Sequence, residues 1–144
     1  MTRGLILITL CILLGIGCKP KVTLQRLEPT QPAAIQTIEV NSQMLELGIR
    51  DTLDFGSMHQ GEVINKRLRI TNCDTKPIVL LRHVTSCGCV KVTYDRKPIA
   101  PNQSTVIEFE FDSKSLSGWQ SDLMGFYLVD KVTPIKIYLD AWVD

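Results

Sequence analysis

The sequence has no surplus of either charge, with 16 Lys and Arg against 15 Asp and Glu. All the acidic residues follow position 17, so removing Arg3 with a leader brings the two counts level. That balance gives no footing for nucleic acid or an anionic surface as a partner. Histidine is scarce, with only His59 and His83 present. Two histidines and scattered carboxylates form no hydrolytic constellation, and no serine sits in a nucleophile elbow. There is no internal repeat, no low-complexity tract and no second cysteine pair at zinc-finger spacing. Asp54-Phe55-Gly56 lacks the glycine-rich loop, lysine strand and catalytic loop that give such a triplet meaning in a kinase. It reads as a strand end, with Phe55 inward and Gly56 turning.

What is present begins with the leader. Arg3 precedes an apolar run over residues 5–16, far shorter than the roughly 20 residues a membrane-spanning helix needs. Small residues close the run, which makes a secretory signal peptide of residues 1–17. Cys18 follows in the arrangement Leu14-Gly15-Ile16-Gly17-Cys18, which resembles the bacterial lipoprotein cleavage site. Gly15 stands where a large aliphatic residue is usual, with Leu14 one place too early. The resemblance implies palmitate-type acylation at Cys18 and a protein held on a membrane of the cell envelope, facing the periplasm or the outside. Each buried methylene contributes about 0.8 kcal/mol, so two or more chains anchor stably. Residues 18–34 carry Pro20, Pro29 and Pro32 without periodicity and read as a tether. Fully extended it spans on the order of 50 Å.

Residues 35–144 form one domain whose apolar period is two, not 3.6. Thr105, Ile107, Phe109 and Phe111 share one face against Glu108 and Glu110. Ile64, Leu68 and Ile70 align with Lys66 interrupting, and Ile135, Ile137, Leu139 and Ala141 oppose Lys136, Tyr138 and Asp140. PIVLLRHV, CVKVTY and DLMGFYLVD add further strands, with weaker ones in IQTIEV and residues 44–55. No helical stripe competes. The expectation is an all-β, immunoglobulin-like antiparallel β-sandwich of seven or eight strands, ahead of an open barrel. SKSLSGWQS reads as the longest polar loop. Trp119 within it is expected to anchor that loop on the sandwich edge, the alternative being an exposed aromatic on a binding surface.

Asp54-Phe55-Gly56, Gly61-Glu62, Thr71-Asn72, Pro77, Ser86-Cys87-Gly88-Cys89, Ile99-Ala100-Pro101-Asn102 and Phe109-Glu110-Phe111-Asp112 stand in a specific order. In that order the chain resembles domain-of-unknown-function family 1573, secreted bacterial proteins often found as lipoproteins, from about Leu45 to about Trp142. The resemblance implies an Ig-like sandwich similar to assembly or adhesion modules, and no assigned reaction. Asn72-Cys73-Asp74 replaces the family's usual Asn-Thr-Gly and introduces a third thiol. Pro101-Asn102 replaces Pro-Gly, a mild change because Asn tolerates positive φ.

Cys87 and Cys89 flank a single glycine. In an extended strand their Cα atoms lie about 6.6 Å apart, near the limit for a disulfide, and positive φ at Gly88 would bring the sulfurs together. Outside the cytoplasm oxidation favours a disulfide, and Cys73, Cys87 and Cys89 allow one bond with one thiol left over. The leading expectation is structural: a disulfide or small buried thiols shaping a tight link between strands. A redox pair and a Cu(I) site with His83 as a weak third donor are the alternatives. No other cofactor is expected. The functional expectation is therefore a lipid-anchored, non-enzymatic Ig-like module. It would be held on the membrane through its lipid and would bind another envelope protein or polymer through its loops or an open strand edge. The alternative class is thiol redox or Cu(I) handling through Cys87 and Cys89.

Overall fold

The computed structural model describes residues 35–144. The leader 1–17, Cys18 and the tether of residues 18–34 lie outside the described residues. The elements run β1 (Gln36–Val40), α1 (Ser42–Leu47), β2 (Arg50–Met58), β3 (Val63–Asn72), β4 (Leu80–Thr85), β5 (Val90–Thr93), β6 (Ser104–Asp112), β7 (Gly118–Leu128) and β8 (Ile135–Val143). They form two four-stranded sheets, in the orders β1-β3-β6-β5 and β2-β8-β7-β4. This is an Ig-like sandwich.

The alternation read from the sequence sets which residues face inward. Ile107, Phe109 and Phe111 on β6 are buried, as are Ile135, Ile137, Leu139 and Ala141 on β8. Phe109 meets Phe126 of the opposite sheet edge to face at 6.1 Å, and Phe55 meets Phe111 at 5.1 Å. These aromatic contacts join the sheets at the centre of one continuous core.

Four features differ from the sequence reading. Residues 44–55 are not one strand: Asn41 caps a short helix by accepting from the Met44 N–H at 2.8 Å, and Gly48 at φ +83° ends it. Through α1 the chain reverses, so β1 pairs parallel with β3 and β2 parallel with β8. The expected purely antiparallel sheets therefore each carry one parallel pair. Gly56 is inside β2 rather than at its end, at a bulge where the pairing slips between Asp54 and Gly56. Its φ of +77° and the bond from its N–H to Asp54 Oδ1 at 2.7 Å define that kink. Finally, the polar loop is shorter than expected, because β7 already begins at Gly118.

Candidate functional site

β4 ends in one sheet at Thr85 and β5 begins in the other at Val90, so Ser86-Cys87-Gly88-Cys89 crosses between sheets. Both sides hold it. The Ser86 N–H donates to the Leu123 carbonyl of β7 at 3.2 Å, and the Cys89 carbonyl accepts from Asp112 of β6 at 2.9 Å. Thr85 Oγ1 accepts from the Cys87 N–H at 3.2 Å and donates to the Cys87 carbonyl at 3.1 Å. Cys87 and Cys89 are joined as a disulfide across a Cα–Cα distance of 5.3 Å. A turn shortens that distance below the extended value. Gly88 is not among the positive-φ glycines, so left-handed backbone there is not what closes the ring.

The loop so closed is minimal. In the chain-entropy treatment a ring of about three residues contributes roughly 1.6 kcal/mol, against about 3 for a 15-residue loop. Both cysteines are half-buried, and Cys89 packs against the core.

Asp122 completes the cluster. On β7 it shares the inward parity of Met124 and Phe126. It sits where β4 has ended and β7 runs on, so the link covers it. Its Oδ2 lies 3.6 Å from Cys89 Sγ, and its Oδ1 accepts from the Ser86 hydroxyl at 3.0 Å. That same hydroxyl accepts from the Leu123 N–H at 3.0 Å. The two sulfurs and a carboxylate oxygen of Asp122 lie within 4.8 Å of one another. Sequence reading missed Asp122, although extending the Met124-Phe126-Leu128 alternation back by one inward step finds it.

His83 does not join this group. Its Nδ1 is 3.3 Å from the Tyr94 hydroxyl, and its ring packs 6.0 Å from Phe126. It is a strand residue in an aromatic cluster. Cys73 is exposed and free, just past the end of β3 where Thr71 pairs with Ser104. Cys89 borders Asp112 at the opposite end of the same β3–β6 ladder, about 30 Å away at strand rise. The leftover thiol is therefore Cys73. After reduction, the cluster that could hold a metal among the described residues is Cys87, Cys89 and Asp122. Cu(I) would match the two soft sulfurs but not the hard oxygen.

A second feature occupies the outer face of the β2-β8-β7-β4 sheet. Trp119 is not a buried anchor: it lies on β7, directly opposite Trp142 of β8, and the two are 60% and 49% exposed. The next outward row pairs Ser121 with Asp140, whose carboxylate accepts the serine hydroxyl at 2.7 Å. Leu123 and Tyr138 pair in the row after that. Beyond them, a groove of about 260 Å³ opens over Gly125, flanked by Val84, Leu123, Tyr127 and Pro134. The Arg82 guanidinium stacks on Tyr127 at 3.8 Å.

Residues 48–143 match the family described as "Protein of unknown function (DUF1573)". No curated protein matches the chain. Among solved structures, a protein of unknown function from Porphyromonas gingivalis W83 is similar at 20% identity and TM-score 0.56, covering 76% of this chain and 48% of that one. The VesB protease of Vibrio cholerae is similar at 11% identity and TM-score 0.52, covering 69% and 33%. The secreted serine protease VesC of Vibrio cholerae follows at 14% and 0.50, covering 62% and 21%. The chain thus spans less than half the length of each of them, and the likeness is one of fold.

Proposed function

The chain belongs to the DUF1573 family of proteins of unknown function, and from that premise we propose that it is a lipid-anchored protein of the bacterial cell envelope. Its Ig-like domain acts as a binding module for a second envelope component. The lipid is carried by Cys18, and residues 18–34 hold the domain off the membrane. The observation that carries the binding role is the Trp119–Trp142 pair. Two adjacent exposed indoles on a sheet face are an unusual use of apolar area, which soluble domains ordinarily bury.

The occupant that suits this face is an envelope polysaccharide. Flat indoles stack on the C–H faces of sugar rings, and Ser121 and Asp140 in the neighbouring row hydrogen-bond ring hydroxyls. A linear polymer can lie along successive rows, which a compact ligand would not fill. Co-sedimentation with purified cell-wall sacculi tests this. Wild-type protein should pellet, and Trp119→Ala with Trp142→Ala should lower the bound fraction at least tenfold without changing the circular dichroism spectrum. Equal pelleting of the double variant would overturn the reading. Anchoring is tested separately: Cys18→Ala should move the protein from the membrane to the soluble fraction, and unchanged partitioning contradicts it.

A further inference from the structure

We propose that Cys87, Cys89 and Asp122 form a dithiol–disulfide exchange site, in which Cys87 is the sulfur attacked and Asp122 carries the proton of Cys89. The substrate class is a protein or peptide dithiol outside the cytoplasm. This goes beyond polysaccharide binding and uses a different surface.

Three observations converge. The disulfide is not the sole tie on the link, because Thr85, Ser86 and the Cys89 carbonyl also hold it by hydrogen bonds. Both cysteine residues are only half-buried, so the pair is not sealed from a substrate thiolate. An inward-facing carboxylate lies 3.6 Å from one of the two sulfurs, held in place by the Ser86 hydroxyl. While the disulfide is intact, Cys89 Sγ carries no proton and that contact is not a hydrogen bond. Once the sulfur–sulfur bond breaks, the same geometry lets a Cys89 thiol donate to Asp122 Oδ2.

The asymmetry selects the attacked sulfur. Cys89 packs against the core and faces Asp122, whose negative charge repels an incoming thiolate. Cys87 Sγ is also within 4.8 Å of that carboxylate, but Cys87 does not pack against the core, and this makes it the attacked sulfur. A substrate thiolate attacks Cys87 Sγ, and the Cys87–Cys89 bond breaks with its electron pair leaving on Cys89 Sγ, which takes a proton by way of Asp122. The substrate's second thiol gives its proton to solvent and attacks its partner sulfur in the mixed disulfide. Cys87 then leaves as a thiolate. The substrate dithiol is oxidised to a disulfide, and the same two electrons reduce Cys87–Cys89. In the reverse direction Asp122 accepts the Cys89 proton as Cys89 attacks the mixed disulfide on Cys87.

The test uses the full chain in detergent, reduced and then mixed with oxidised glutathione across a pH series. Samples are quenched with a maleimide, and the peptide holding both cysteines is read by mass spectrometry, apart from Cys73. Wild type should pass through a glutathione adduct on Cys87 to the Cys87–Cys89 disulfide. Asp122→Asn should slow that second step at least tenfold at neutral pH, the gap closing as pH rises and hydroxide removes the proton instead. Cys89→Ser should trap the adduct on Cys87, a readout independent of how Asp122→Asn folds. An adduct on Cys89, or an Asp122→Asn profile that matches wild type at every pH, overturns the proposal.

Discussion

Asn72 ties three chain segments together with one buried amide. Its Nδ2 donates to the carbonyls of Lys76 and Ile99, each at 2.9 Å, and its Oδ1 accepts from the Asp74 N–H at 2.9 Å. Its backbone meanwhile bonds to Asn102 and Gln103. Asn72→Ala deprives the Lys76 carbonyl of this donor, while the Ile99 carbonyl keeps the Ile78 N–H at 3.1 Å, and should cost about 1 to 3 kcal/mol in urea unfolding. The sequence marked Thr71-Asn72 only as part of a resemblance, because the partner carbonyl at Ile99 is 27 residues away. Nearby, the carboxyl of Asp74 is held below the usual aspartate range, first by the Ser42 hydroxyl and then by the Thr75 N–H. A depressed folded-state pKa means that its stabilising contribution is present above the unfolded value and is lost as pH falls through the folded one. Thermal midpoints measured downward from pH 5 should therefore fall less steeply for Asp74→Asn than for wild type. A parallel decline would show that the Ser42 contact does not form in solution.

Elements built on alternation were legible in the sequence, because a period of two over β3, β6 and β8 fixes which residues face the core. The missed elements owe their form to other causes. α1 has six residues with only Leu45 buried, too short to display a helical stripe, and it is set by the Asn41 cap and Gly48 instead. The start of β7 is polar, and what makes it a strand is pairing with β8 from Gly118↔Val143 onward, a partner supplied from elsewhere in the chain. Trp119 was misplaced for the same reason. The Cys-Gly-Cys link was recognised as a strand connection, but its carboxylate was hidden because Asp122 lies 33 residues from Cys89. The two glycines of the β2 bulge and the link make a contrast that can be measured. Gly56→Ala forces a side chain to φ near +77° and should cost about 1 to 2 kcal/mol. Gly88→Ala meets open space without positive φ and should change stability by less than about 0.5 kcal/mol. Comparable losses in chemical denaturation would mean that the link, not the bulge, is where glycine is required.

At the scale of the whole molecule, the sandwich separates its chemistry. The link and Asp122 close the side where β4 and β5 meet, Cys73 lies at the far end of the β3–β6 ladder, and the indole pair faces outward from the other sheet. The two edge strands beside the link are short, six and four residues, so little open backbone is left there to recruit a strand from another chain. The outer face of the β2-β8-β7-β4 sheet is the broad surface on which the proposed contact is made. The chain has only two tryptophans, Trp119 and Trp142, and both stand on that face, so tryptophan fluorescence reports on it alone. The decisive measurement is an emission titration of the full chain with soluble fragments of the cell-wall polysaccharide. Stacking of sugar rings on the indoles predicts a saturable blue shift, lost in Trp119→Ala with Trp142→Ala under any excitation that reads the remaining tyrosines. Saturable binding by calorimetry with no change in tryptophan emission would place the contact elsewhere and contradict the account.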